Sequence, residues 1–231
     1  MTSWIEFWNS ANSIYVGPEH LRAHFETLGR DLAALLPPQG PLVILDYGCG
    51  DALAVEHLRA GTNTLLLYDA SAEVRRRLRV RLGTARDIRI LEDSEVESLP
   101  SGSLDVVIAS SLLQYVDENA LVPLLRRWHE WLKPGGVLIV ADVISPDTGM
   151  VSDIRDLMTL AWKEGFFLSA AFGLIRTYFS DYRRLRRDVG LMRYRPSEFL
   201  ERLRSAGFLG EQLPRNPGPN RHRYAFRGLK R

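Results

Sequence analysis

Short, wholly apolar runs alternate with segments of helical period along the middle of the chain. Leu42–Leu45, Thr64–Tyr68, Ile88–Leu91, Leu104–Ala109 and Val137–Val143 lack the every-other-residue alternation of a sheet wetted on one face. Apolar strands separated by helices are what a parallel sheet covered on both faces demands. Between them, helices are expected after residue 50 through Leu58, from Ser71–Glu73 to about Leu82 with Ser71 as N-cap, and up to Leu132. Lys133–Pro134–Gly135–Gly136 reads as the turn into the fifth strand.

The flanks differ. His20–Leu36 places Leu21, Phe25, Leu28, Leu32 and Leu35 near a 3.6-residue period, predicting a lead-in helix with one face on the main domain. Pro37–Pro38–Gln39–Gly40–Pro41 ends it, because ring-locked φ and missing N–H donors cannot continue a helix. Residues 147–193 form an additional segment rich in Phe, Tyr and Arg, read as a helical cap. Pro196–Ala206 predicts another helix, and Phe208–Leu213 and Arg223–Arg227 two last strands joined through 214–220. The expectation is one α/β domain over residues 1–231: lead-in 1–36, core 42–146, cap 147–193, and final helix and hairpin 194–231.

Composition narrows the class. At 231 residues, 45% hydrophobic and 25% charged, the chain can bury a core without disulfides or a structural metal. Its one cysteine, Cys49, cannot close an intramolecular disulfide, which suits a cytoplasmic location. MTSWIEFWNSANS lacks the basic start and apolar stretch of a secretory signal, and Lys163–Gly165 interrupt the apolar region 157–175, so no membrane span is expected. Net charge is +2, yet residues 181–231 carry 14 Lys/Arg against 5 Asp/Glu. That +9 could draw an anionic substrate or nucleic acid; solvated surface charge is the plainer reading.

The chemistry concentrates in Val43-Ile44-Leu45-Asp46-Tyr47-Gly48-Cys49-Gly50, an apolar strand running into an acid and then G-x-G. Glycines let the backbone turn sharply and approach a ligand, at the carboxyl end of a strand where open α/β sheets bind. Asp69 closes the second strand, near the spacing at which a carboxylate accepts the hydroxyls of a ribose; capping the following helix is its alternative role. A dinucleotide fingerprint would have a third glycine where this chain has Leu53, which argues for a nucleoside ligand without a pyrophosphate.

V-I-L-D-Y-G-C-G resembles the first motif of class I S-adenosylmethionine-dependent methyltransferases. Leu65–Ala70 is similar to their second motif, Ser103–Val116 to the fourth-strand motif, and Leu132–Val140 to the fifth-strand turn. The resemblance covers residues 42–143 and implies a doubly wound, mostly parallel seven-stranded sheet with its last strand antiparallel. It implies S-adenosylmethionine as cofactor. Asp46, Tyr47, Gly48, Cys49 and Gly50 would hold the methionine portion, Asp69 the ribose and Ala70 the adenine. Glu95 with Val96, or else Asp93, would meet the adenine amine, and Ser110 and Ser111 would border the methyl. Many relatives carry a histidine where this chain has Gln114, so no base is carried over there.

Methyl transfer needs alignment in a dry site, and a base only if the acceptor must lose a proton. Tyr15 and His24 are the candidates for a catalytic role, with His20, Tyr178 and Tyr182 behind them. An aromatic face such as Tyr15 suits a sulfonium. Arg75–Arg81 reads as solvated helix charge, whereas Arg183, Arg184, Arg186 and Arg187 in the cap could bind an acidic acceptor. No His, Cys or carboxylate spacing fits a metal. The expected partner is a small-molecule acceptor, with no membrane, no nucleic acid, and a monomer or homodimer. Methylation of RNA or protein through the basic region is the second reading, although Ala109–Leu112 reads A-S-S-L, not the N-P-P-Y of base-modifying relatives. A non-catalytic cofactor-binding scaffold is the third.

Overall fold

A computed structural model of the protein describes residues 18–38, 40–59, 63–146 and 191–231. Helix α1 spans Pro18–Ala33, followed by β1 Val43–Tyr47, α2 Val55–Leu58, β2 Thr64–Tyr68 and α3 Ala72–Leu82. Then come β3 Ile88–Ile90, α4 Asp93–Glu97, β4 Leu104–Ser110, a 3₁₀ turn Leu113–Tyr115, α5 Glu118–Trp131 and β5 Leu132–Val143. Past the cap segment lie α6 Pro196–Ser205, β6 Leu209–Gln212 and β7 Tyr224–Leu229.

The seven strands form one sheet in the order β3-β2-β1-β4-β5-β7-β6. β1 through β5 pair in parallel, and β7 runs antiparallel to both β5 and β6. The expected fold is borne out: α/β, mostly parallel, the last strand reversed. Strand order turns back between β1 and β4, so their carboxyl ends open a crevice at the switch point.

Side chains along each central strand divide between two cores. Ile44, Val106, Ile108 and Ile139 face Leu28 and Leu32 of α1, Val55 of α2 and Val74 of α3. Leu45, Val107, Leu138 and Val140 face Leu125 and Trp128 of α5 and Phe199 of α6. Each such fully buried side chain contributes roughly 1.5–3 kcal/mol. Covering both faces leaves the strand ends as the places where polar chemistry can gather.

Several boundaries move from their expected positions. The lead-in helix stops at Ala33, with Leu35 and Leu36 still packed against the core. Only four residues after the glycine loop are helical, and a further short helix forms over Asp93–Glu97. The turn Lys133–Gly136 is drawn into β5 as a bulge, the register stepping from Leu104↔Leu132 to Val106↔Val137. Lys133 reaches back across it to Asp105 at 2.8 Å, and Asp105 accepts from the Val43 amide at 2.8 Å, tying β5, β4 and β1 together. Ser71 caps α3 as expected, accepting from the Val74 amide. The cap expected over 147–193 lies outside the described residues except 191–193, as do Tyr15, Tyr178, Tyr182 and Arg183–Arg187.

Candidate functional site

The carboxyl ends of β1 and β2 meet in a small knot. The Gly48 and Cys49 amides both donate to the Tyr68 carbonyl, at 2.7 and 3.1 Å, folding the loop back over β2. Gly48 takes φ +79°, and a side chain there would meet Leu112 at 2.8 Å, so both backbone and space exclude one. Gly50, at φ +53°, has nothing within 4 Å of where a Cβ would stand: its outer side is open.

Asp69 locks the two tips together. Oδ2 accepts from the Gly50 amide at 3.0 Å and Oδ1 from the Ser71 amide at 2.9 Å. Each carboxylate oxygen has a second lone pair, so both can accept one further donor. Burial pushes the Asp69 carboxyl above its ordinary value, while these two amides pull the other way. The Asp46 carboxylate, one strand over, accepts no hydrogen bond from any described residue. Burial first, then the neighbouring charge of Asp69, raise its carboxyl to about 7. Two carboxylates at adjoining tips, one without a side-chain partner among the described residues, have the chemistry to meet a cation and to accept from hydroxyl donors.

Behind the knot sits Arg75, which the sequence reading treated as solvated with its neighbours on α3. It is 5% exposed. It donates to the Asp69 carbonyl at 2.7 Å and pairs with Glu92 and Asp93, each at 2.9 Å, spanning the tips of β2 and β3. The rest of the run fits the surface reading better, although Arg77 pairs with Asp51 and Arg81 bonds its carbonyl.

The remaining cofactor candidates scatter in environment. Ala70 is exposed beside Asp69. The Tyr47 ring stacks among Tyr68, Trp128 and Trp131, so only its backbone borders the glycine loop. Cys49 is half-buried and its thiol is pushed well up by burial. Val96 lies in the core. The Glu95 carboxylate is engaged by Arg89 at 2.9 Å and by the Glu92 amide at 2.9 Å, closing a capping box on α4. Asp93 accepts from Arg75 and from the Tyr68 hydroxyl.

A second cluster lies at the tips of β4 and β5, and Asp142, its centre, was not found from sequence. Ser111 donates to Asp142 at 2.7 Å, and both residues take positive φ, 55° and 62°. Asn220 donates to Asp142 at 3.3 Å, and Arg223 stands 3.8 Å away. The Asp142 amide donates to Asn216 at 2.8 Å, and Arg223 also donates to Gln114 at 3.3 Å. Burial would raise the Asp142 carboxyl, but Arg223, Ser111, His24 and Asn220 together hold it below its ordinary value. His24 of α1 is brought near this carboxylate; burial pushes its pKa down, leaving a neutral imidazole at neutral pH. The Ser110 hydroxyl next to this cluster is buried with no hydrogen-bond partner among the described residues. An acid met by nothing but residues far away in the chain has no local signal to announce it.

Residues 45–140 match the family model described as Methyltransferase domain. An uncharacterized methyltransferase of Mycobacterium tuberculosis is 28% identical over 129 residues, 56% of this chain and 62% of that protein. Trans-aconitate 2-methyltransferase of Deinococcus radiodurans is 33% identical over 115 residues, 48% of this chain and 42% of its own length. The chain thus spans less than two thirds of the length of either relative. The crystal structure of human N-acetylserotonin methyltransferase in complex with SAM overlays 98% of this chain and 55% of its own at a TM-score of 0.61 and 15% identity, a likeness of fold. No helix among the described residues is long and apolar enough to cross a membrane.

Proposed function

We propose that the protein is a class I S-adenosylmethionine-dependent methyltransferase that methylates a small-molecule acceptor in the cytoplasm as a single domain, a reading supported by the match of residues 45–140 to the methyltransferase-domain model. The observation that carries this is the Asp69 carboxylate, clamped by the Gly50 and Ser71 amides beside an Asp46 carboxylate without a partner among the described residues and an open glycine loop.

These residues fit a nucleoside bearing a cationic amino-acid tail. Asp69 would accept the ribose hydroxyls with its free lone pairs. Asp46 would face the positive charge of the tail, recovering the interaction that burial otherwise denies its ionised form. Gly48–Gly50 would offer bare backbone, and Ala70 the surface next to adenine. When bound, the cofactor supplies a methyl group already activated on a sulfonium. The chain must therefore align an acceptor nucleophile and exclude water, which is where much of the rate of such a transfer originates. Ser110, Ser111 and Asp142 would border that acceptor. His24, neutral and beside Asp142, would take a proton where the acceptor has one to lose.

Isothermal titration with S-adenosylmethionine, followed by incubation with metabolite pools, tests the proposal. Saturable binding and release of S-adenosylhomocysteine with a one-CH₂ mass gain in a metabolite are expected. Binding with no turnover on any pool would instead identify a cofactor-binding scaffold, and turnover on RNA or protein alone would move the acceptor to that class. Absence of binding would end the reading.

A further inference from the structure

Beyond Asp142, at the same carboxyl edge of the sheet, the end of β5 and the β6–β7 connection enclose a cavity of about 350 Å³. Its described lining includes Arg215, Arg221, Arg223, His222, Asn216 and Ser145, and no carboxylate. That volume lies at the small end of the range for organic-ligand pockets. Three guanidinium groups gathered around one small hollow repel one another and favour a counter-charge among them.

The protein supplies part of it from behind. Asp31 of α1 accepts from Arg215 at 3.1 Å, from Arg221 at 3.4 Å and from the Gly218 amide at 3.0 Å, pinning the connection to the lead-in helix. One carboxylate thus answers two arginines. Neither arginine is used up by it. Among the described residues Arg215 donates through Nη2 alone, and Arg221 through Nη1 alone, to Asp31 and the Asn216 carbonyl. Their side chains are 66% and 43% exposed, so the remaining N–H groups can turn to a ligand. The planar fork of a guanidinium fits a carboxylate with two parallel bonds.

We infer that this cavity is the anion-binding end of the acceptor pocket and takes a carboxylate-bearing small molecule. As an account of the acceptor it rests on the methyl-transfer reading; as a binding site it does not. Arg223 lines the cavity and also contacts Asp142, which Ser111 joins to the tip of β4. An acid anchored at Arg215 and Arg221 therefore extends toward the β4 and β5 tips, where the methyl would be delivered.

The test is titration of the full chain, without S-adenosylmethionine and at constant ionic strength, with succinate, citrate and inorganic phosphate. Saturable binding of a carboxylate is expected, weakened about tenfold by Arg221→Gln, since one charge-assisted fork is lost. Gln212→Trp, at an exposed cavity-lining position, should block the site sterically with every arginine retained. Both variants should keep the parental affinity for S-adenosylmethionine, which separates this site from the cofactor cradle. If neither carboxylate binds, or if both variants bind citrate as the parent does, the inference is wrong. Phosphate binding tighter than both carboxylates would overturn the acceptor class. Carboxylate binding in a protein that ignores S-adenosylmethionine would keep the site and remove methyl transfer.

Discussion

The two ends of the crevice are opposite in charge and in construction. At the tips of β1 and β2, Asp46 and Asp69 stand with their carboxyls pushed up by burial and no cation among the described residues beside Asp46. At the tips of β4 and β5, Asp142 is just as enclosed, yet Arg223, Ser111 and Asn220 hold its carboxyl down. The same side chain in the same kind of place is thus left wanting in one region and satisfied in the other. An unsatisfied carboxylate is a receptor for a ligand's charge, and a satisfied one is a brace. Under the proposed function the first region would bind the cofactor and the second would brace the walls of the acceptor site.

The sharpest way to break this contrast is to remove the shared carboxylate of the binding end. Asp69→Ala leaves the Gly50 and Ser71 amides without their acceptor and deletes the proposed ribose contact. S-adenosylmethionine affinity should fall about a hundredfold, as two hydrogen bonds to a charged group at roughly 1.5 kcal/mol each imply. Calorimetry on a variant shown by circular dichroism to be folded decides it, and an unchanged Kd would remove Asp69 from the cofactor site.

The brace predicts a different loss. Asp142→Asn keeps an acceptor for Ser111 but leaves Arg223, 10% exposed, opposite a neutral amide. Breaking one side of so enclosed a pair should cost about 2 kcal/mol of stability. The sign follows from the lowered folded pKa: Asp142 adds stability above the ordinary carboxylate range, and that stability is lost as pH falls through the folded value. Chemical denaturation at neutral and acidic pH should therefore show the variant's deficit shrinking on acidification, with cofactor affinity intact. A deficit that stays constant with pH argues against a role for the charge.

How legible each end was in the sequence follows from the same construction. The binding end is written in two contiguous stretches, 46–50 and 69–71, because a strand, a glycine turn and a helix cap are local arrangements. The brace joins Ser111 to Asp142, Asp142 to Asn216 and Asn220, and Gln114 to Arg223, contacts that cross much of the chain. No spacing rule reports such pairs; Asp142 is merely one more residue at the end of an apolar run. Arg75 was misread for a related reason. Its neighbours Arg76 and Arg79 are exposed, and a charged run hides the member that turns inward. The strands and their parallel order were readable because burial on both faces leaves an unbroken apolar signature. The bulge at Lys133–Gly136 was not, since only pairing with β4 makes that turn part of a strand.

A milder change tunes the binding end without dismantling it. With its carboxyl raised to about 7, Asp46 is largely protonated at pH 6 and largely ionised at pH 8. Only the ionised form attracts a cation, so S-adenosylmethionine affinity should rise about tenfold between those pH values, with proton release visible as a buffer-dependent binding enthalpy. Asp46→Asn should bind weakly at both and flatten the profile. The raised pKa also means that the ligand-free fold loses stability as pH climbs from the ordinary carboxylate range through 7, so the variant should be the more stable protein at pH 8. A parent whose affinity ignores pH would place the cation elsewhere.

The smallest expected effect concerns the edge of the cradle at α4. Glu95 is the residue whose sequence position best suits the adenine amine, yet its carboxylate already serves Arg89 and the amide of Glu92. Asp93 stands closer in the network to the ribose end, sharing Arg75 with the Asp69 carbonyl. If capping is the work of Glu95, Glu95→Gln preserves an oxygen for the Glu92 amide and loses an exposed ion pair, which is worth less than about 1 kcal/mol. S-adenosylmethionine affinity should then change by less than about threefold, within that same limit. A larger drop in Glu95→Gln, with Asp93→Asn unaffected, would assign the adenine amine to Glu95 and show that the capping box yields its carboxylate when the nucleoside arrives.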